Sequence, residues 1–200
     1  SAEQLVTRLL SSEGMVDSYH LRSGELDEEE WSKIANAASA MAETDILIDD
    51  TTGITVSGMK AKLRRVKNLG LIVIDYLQLM QSEKKTDNRV NEVADISRSL
   101  KLMAKEFGVP VICCAQLSRG PEKRDDKRPQ LSDLRDSGAI EQDADSVMLL
   151  YRGDYYDMDN PVSEAEVIIA KNRHGSVGRV KLGWYGKYTK FTTIDEDGRE

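Results

Sequence analysis

The chain has 200 residues, 40% of them hydrophobic and 32% charged, which is enough apolar content for one sizeable core in a single domain. A net charge of −7 argues against a protein that coats nucleic acid through a generally basic surface. No apolar run approaches the roughly 18 residues that a membrane span needs. The opening residues SAEQLVTRLL also lack the basic-then-apolar layout of a secretory signal, so the expectation is a soluble, cytoplasmic protein.

In chain order, Ser1 and Gln4 form a capping box for a helix running through Leu10. Asp27 to Thr44 predicts a second amphipathic helix, with acidic residues in its first turn where the helix dipole favours them. DILIDDT, residues 45–51, reads as a short buried strand, and TVSGMKAKLRRVKNL as a helix with a basic face. LGLIVIDYLQLM, Leu69 to Met80, is the strongest signal: a nearly unbroken apolar strand that ends on Asp75. A buried, unpaired carboxylate is costly, so a charge at that point implies a partner or a metal. NRVNEVADISRSLKLMAKEFG predicts the clearest helix, with Val90, Val93, Ile96, Leu100 and Met103 at helical spacing and Gly108 as its stop. Pro110 introduces a further buried strand, VPVICCAQL. Its adjacent Cys113 and Cys114 point to opposite faces and are poorly placed to pair, so they read as reduced thiols.

Continuous apolar strands alternating with helices imply an α/β fold, its parallel sheet covered on both faces. SVMLLYR, AEVIIAKNR, GRVKLGWYG and KFTTID follow as strand-like runs with short turns, and the later ones predict a meander or hairpin that finishes the sheet. The charged stretch from Ser118 to Arg135, containing Gly and Pro, is the one long loop, and loops of that length in compact domains are usually functional or disordered.

Ligands of a parallel α/β sheet sit outside the C-terminal ends of its strands. That places Asp75, with Gln116 and Arg119 after the next strand, at one edge. An apolar strand ending in Asp has the form of a Walker B motif, whose carboxylate holds Mg²⁺ on a nucleotide; the alternative is an Asp that caps the following segment. Lys171 and Arg173 alternate with Asn172 and so share one face of their strand. Two such cations suit phosphate oxygens, and the alternative is a solvated basic turn. All four residues are expected at the same sheet edge. Neither His20 nor His174 has a metal-like partner, so no metal is expected beyond a nucleotide-bound Mg²⁺.

Taken together, LIVIDYLQLM, VICCAQLSRG, LSDLRDSGAIEQDAD and IIAKNRHG resemble, in order, the motifs of the C-terminal motor domain of bacterial replicative DNA helicases, the DnaB family. LRDSGAIEQDAD is the most specific of these blocks, and the resemblance runs from Ser1 to about Ile194. It implies a RecA-like motor domain over residues 1–194, followed by a polar tail at 195–200. It also implies a hexameric ring of identical subunits that binds ATP between neighbours and threads single-stranded DNA through its centre at the replication fork. A helicase loader and primase would be further partners. By position, Asp75 would be the Walker B carboxylate on Mg²⁺ and Gln116 the sensor of the γ-phosphate. Lys171 and Arg173 would reach a neighbour's ATP, Arg173 as the arginine finger. Arg135, Asp136 and Gly138 would lie on the pore loop that grips DNA phosphates, although the family often has Glu at the position of Asp136.

From Leu117 to Leu150 there is no Phe, Tyr or Trp on which bases could stack. The loop instead offers Arg119, Lys123, Arg124, Lys127, Arg128 and Arg135, which suits a grip on the DNA backbone without sequence preference. No stretch matches the G-x-x-x-x-G-K-[ST] phosphate cradle, and GWYGKY has neither the spacing nor the final hydroxyl residue. The resemblance implies that this loop and the water-activating glutamate precede Ser1. Two functions follow: part of an ATP-driven DNA-unwinding motor, or a non-catalytic RecA-like module that binds DNA or a partner.

Overall fold

The computed structural model of the chain describes residues 1–83, 88–134, 138–153 and 163–194, and all that follows concerns these. The elements are α1 (Ala2–Gly14), α2 (Ser18–Ser23), α3 (Glu28–Ala42), α4 (Val56–Leu63), β1 (Ile72–Ile74), α5 (Arg89–Phe107), β2 (Val111–Cys113), α6 (Gly138–Asp143), β3 (Ser146–Arg152), β4 (Ser163–Asn172), β5 (Gly178–Tyr185) and β6 (Lys190–Thr193). The chain divides into two compact units, one formed by residues 1–50, 150–167 and 179–200, the other by 51–149 and 168–178.

In the first unit the expected caps set the helix starts. Ser1 and Gln4 exchange hydrogen bonds at the start of α1, and Asp27 and Glu30 do the same for α3. The Nδ1 of His20 lies 2.8 Å from Glu30 Oε1, tying α2 to α3. Trp184 of β5 faces Phe191 of β6 in an antiparallel pair, with ring centroids 4.6 Å apart, and the Arg152 guanidinium lies 4.7 Å from the Trp184 ring centre. The expected strand at 45–51 does not form. Ile46 and Leu47 are exposed, and no described strand pairs with the segment. Apolar composition favours extension, but only a ladder partner makes a strand.

In the second unit β1 and β2 run parallel, with Ile72, Val73 and Ile74 opposite Val111, Ile112 and Cys113. Alternation turns Ile72 and Ile74 inward, against Val93, Ile96, Leu100 and Met103 of α5 and Val56 of α4. Asn88 caps α5, and Gly108 ends it in the left-handed conformation, φ 65°, that favours glycine. Val73 and Ile112 point the other way and are 60% and 54% exposed. The expected α/β architecture, a parallel pair of strands flanked by helices, is thus present. Both α4 and α5 pack into the same core, on the side of Ile72 and Ile74.

The remaining strands form a four-stranded sheet in the order β3-β4-β5-β6; the sequential order is that of the expected meander, but among the described residues no pairing joins it to β1 and β2. Val147 and Leu149 of β3 are buried with Leu134, and Leu117, Leu131, Ile168 and Ala170 pack against them. No described helix is long and apolar enough to cross a membrane.

Candidate functional site

Asp75 immediately follows β1. The ladder continues past the strand ends: the Cys114 amide donates to the Ile74 carbonyl at 2.9 Å, and the Leu77 amide to the Cys114 carbonyl at 2.9 Å. The segments that leave β1 and β2 therefore stay side by side, which puts Asp75 and Gln116 at the C-terminal ends of neighbouring parallel strands. The Asp75–Tyr76 peptide is cis. Asp75 is exposed rather than buried, and it makes no ion pair among the described residues. The charge at the strand end thus incurs no burial penalty and remains open to a ligand. Its effect is felt at Cys114, whose thiol is raised first by partial burial and then by the Asp75 charge. Burial pushes the Cys113 thiol up to about 12, with the adjacent Cys114 adding to it.

Gln78, not singled out from the sequence, fixes the local backbone. Its side-chain amide donates to the Gln116 carbonyl at 3.3 Å, and its Oε1 accepts from the Gln116 amide at 3.2 Å. The Gln78 carbonyl accepts from Arg89 at 2.6 Å, and Arg89 also pairs with Glu92 at 2.5 Å. Arg89 holds the Glu92 carboxyl below the usual carboxylate range. The first turn of α5 is thereby fastened to the segment after β1.

Lys171 lies in β4 of the four-stranded sheet and Arg173 just past its end, and both side chains reach the Gln142 carbonyl. Lys171 Nζ donates to the carbonyls of Glu141, Gln142 and Ala144, the last at 2.8 Å, and so caps the C-terminal end of α6. Arg173 donates from its backbone to the Asp145 carbonyl at 2.8 Å and from its guanidinium to Asp145 Oδ1 at 3.0 Å. The other oxygen of Asp145 takes the Lys101 ammonium. Lys101, and after it the charges of Arg173 and His174, hold the Asp145 carboxyl below its ordinary range.

The loop after β2 is folded. Short 3₁₀ turns lie at Pro121–Lys123 and Leu131–Asp133, and Asp133 is 5% exposed. Its carboxylate accepts from Arg124 at 2.6 Å and from the Gln130 amide at 2.7 Å, while its carbonyl accepts from the Ser118 amide at 2.9 Å. Arg128 pairs with Asp126. The row of cations is therefore not uniformly free for phosphate: Arg124 is an internal strut, whereas Arg119 is exposed. Gly138, the first residue of α6, is exposed, and Arg135 and Asp136 lie outside the described residues. The sequence had hidden Gln78 inside an apolar run and Asp133 and Asp145 inside a charged block.

Residues 1–193 match the family model of the DnaB-like helicase C-terminal domain. The chain is 52% identical to the replicative DNA helicase DnaC of Bacillus subtilis (strain 168), aligned over 97% of the chain and 44% of that protein. It is 50% identical to the replicative DNA helicase DnaB of Geobacillus stearothermophilus, over 98% of the chain and 44% of that protein. A solved ATPase domain superposes with a TM-score of 0.90 at 38% identity, covering 98% of this chain and 72% of the other. A DnaB-like replicative helicase, solved in a study of its interactions with primase, superposes at 0.87 with 39% identity, covering 95% and 48%. The chain spans less than half the length of the curated relatives it matches. Its fold is that of the RecA-like helicase ATPase domains, and the chain belongs to the DnaB-like helicase C-terminal domain family.

Proposed function

We propose that this chain is part of an ATP-dependent replicative DNA helicase that translocates on single-stranded DNA and unwinds duplex at the fork. The observation that supports this most is the open Asp75 carboxylate beside Gln116 at the C-terminal ends of β1 and β2, the position where α/β sheets bind ligands. A single carboxylate fits Mg²⁺, which is usually held by one or two carboxylates together with substrate phosphates. Among the described residues there is no cluster of three His, Cys, Asp or Glu side chains that would make an all-protein metal cage. When bound, the ion would neutralise phosphate charge. Asp75 would hold it, and Gln116 would contact the γ-phosphate.

Lys171 and Arg173 would serve the ATP of a neighbouring, identical subunit in a hexameric ring. The Ser118 to Gly138 region, with Arg119, Arg135, Asp136 and Gly138, would meet DNA phosphates. A loader and primase would be its partners at the fork, in the bacterial cytoplasm. For the 200 residues by themselves, the absence of the G-x-x-x-x-G-K-[ST] cradle favours a second reading, a RecA-like module that binds DNA or a partner without hydrolysis. The two are separated by assaying DNA-stimulated ATP hydrolysis of the isolated chain and of the full-length protein. The isolated chain should be inactive and the full-length protein active, and Asp75→Asn should abolish the latter. A full-length Asp75→Asn variant with normal hydrolysis would refute the assignment of Asp75.

A further inference from the structure

Arg173 is 49% exposed at the end of β4, yet its direction is fixed from two sides. Its own amide is bonded to the Asp145 carbonyl, and its guanidinium to the Asp145 carboxylate and, at 3.4 Å, to the Gln142 carbonyl. Asp145 cannot turn away with it, because the second carboxylate oxygen is occupied by Lys101 from α5. One carboxylate thus faces two cations. The group keeps a net positive charge, so Arg173 is oriented without being neutralised. An arginine that acts on a phosphate outside its own subunit has both requirements: a long, flexible side chain must be ordered in advance, and its charge must remain available.

We propose that Asp145 is a positioning residue that sets the direction of the Arg173 guanidinium, with Lys101 holding Asp145 in turn. The catalytic half of this proposal rests on the reading that Arg173 acts on a neighbour's nucleotide; the structural half does not. Lys171 is seated separately, on the carbonyls that end α6. Removing Asp145 is therefore expected to loosen Arg173 and leave Lys171 in place.

The structural half is tested in the isolated chain by the ¹⁵N heteronuclear NOE of the Arg173 Nε–H group. It should be high in the wild type, should fall in Asp145→Ala to the value of an unrestrained arginine, and should recover in part in Asp145→Glu. An unchanged signal in Asp145→Ala would overturn the proposal.

The catalytic half is tested in the full-length protein. Misplacement of a reacting group by about 1 Å costs up to about a hundredfold in rate. Asp145→Ala should accordingly lower kcat about tenfold or more, with KM for ATP within about twofold and with single-stranded DNA binding and Tm unchanged. Adding Asp145→Ala to Arg173→Ala should cause no further loss. A large fall in kcat for Arg173→Ala with none for Asp145→Ala would refute positioning by Asp145. Normal hydrolysis in Arg173→Ala would instead refute the nucleotide reading of Arg173, whatever the NOE shows.

Discussion

The side-chain amide of Gln78 pairs with both the amide and the carbonyl of Gln116, as a neighbouring strand would. Gln116 lies beyond the last ladder residue of β2, where nothing else among the described hydrogen bonds fixes its backbone. Truncating Gln78 to Ala should free that backbone and blunt any response of Gln116 to a γ-phosphate. The expected outcome in the full-length protein is a lower kcat with KM for ATP nearly unchanged. Gln78→Glu keeps the acceptor and loses the donor, so it should fall between Ala and wild type. Steady-state kinetics of the two variants provide the check, and equal activity in all three proteins would contradict it.

Asp133 and Arg124 give the loop after β2 its shape. Removing one member of a fully buried pair costs about 3–5 kcal/mol, and a surface pair is worth at most about 1. The Arg124 side chain is 31% exposed, so an intermediate value of about 2 kcal/mol is expected for Asp133→Ala. Chemical denaturation of the isolated chain measures this. Single-stranded DNA binding by the full-length protein should also weaken in this variant, equally for all base sequences, because the loop that presents Arg119 and Gly138 loses its strut.

Cys114 reports directly on Asp75. The Asp75 charge opposes formation of the Cys114 thiolate, so Asp75→Asn should lower the Cys114 pKa and speed its alkylation at a pH below that pKa. Cys113, pushed up to about 12 by burial, should label slowly in both proteins. Mass spectrometry of iodoacetamide-treated chains distinguishes the two thiols. A Cys114 rate indifferent to Asp75→Asn would show that the two groups are not electrostatic neighbours.

Much of this fold was legible because its signals are local. Helix α5 declares itself through the spacing of Val93, Ile96, Leu100 and Met103 and through Gly108, all within one contiguous stretch. What was not legible depends on residues far along the chain. Residues 45–51 have strand composition, but no described strand pairs with them. Val73 and Ile112 read as buried from strand composition, yet both are more than half exposed. Arg124 read as one of several free cations, although Asp133 claims it, and the seat of Arg173 lies 28 residues upstream at Asp145. Asp75 and Gln116 follow the strands of the parallel pair, whereas Lys171 and Arg173 go with the four-stranded sheet, a division of strands that sequence alone does not reveal.

The central claim is that Asp75 serves the nucleotide of its own subunit and Arg173 that of a neighbour. Subunit mixing tests it most directly. Full-length Asp75→Asn and Arg173→Ala proteins should each be unable to hydrolyse ATP. When the two are mixed and allowed to exchange subunits, some interfaces pair an intact Asp75 from one variant with an intact Arg173 from the other. DNA-stimulated ATP hydrolysis should then reappear in the mixture. A mixture as inactive as its two parents, despite confirmed subunit exchange, would contradict the division of the site between neighbouring subunits.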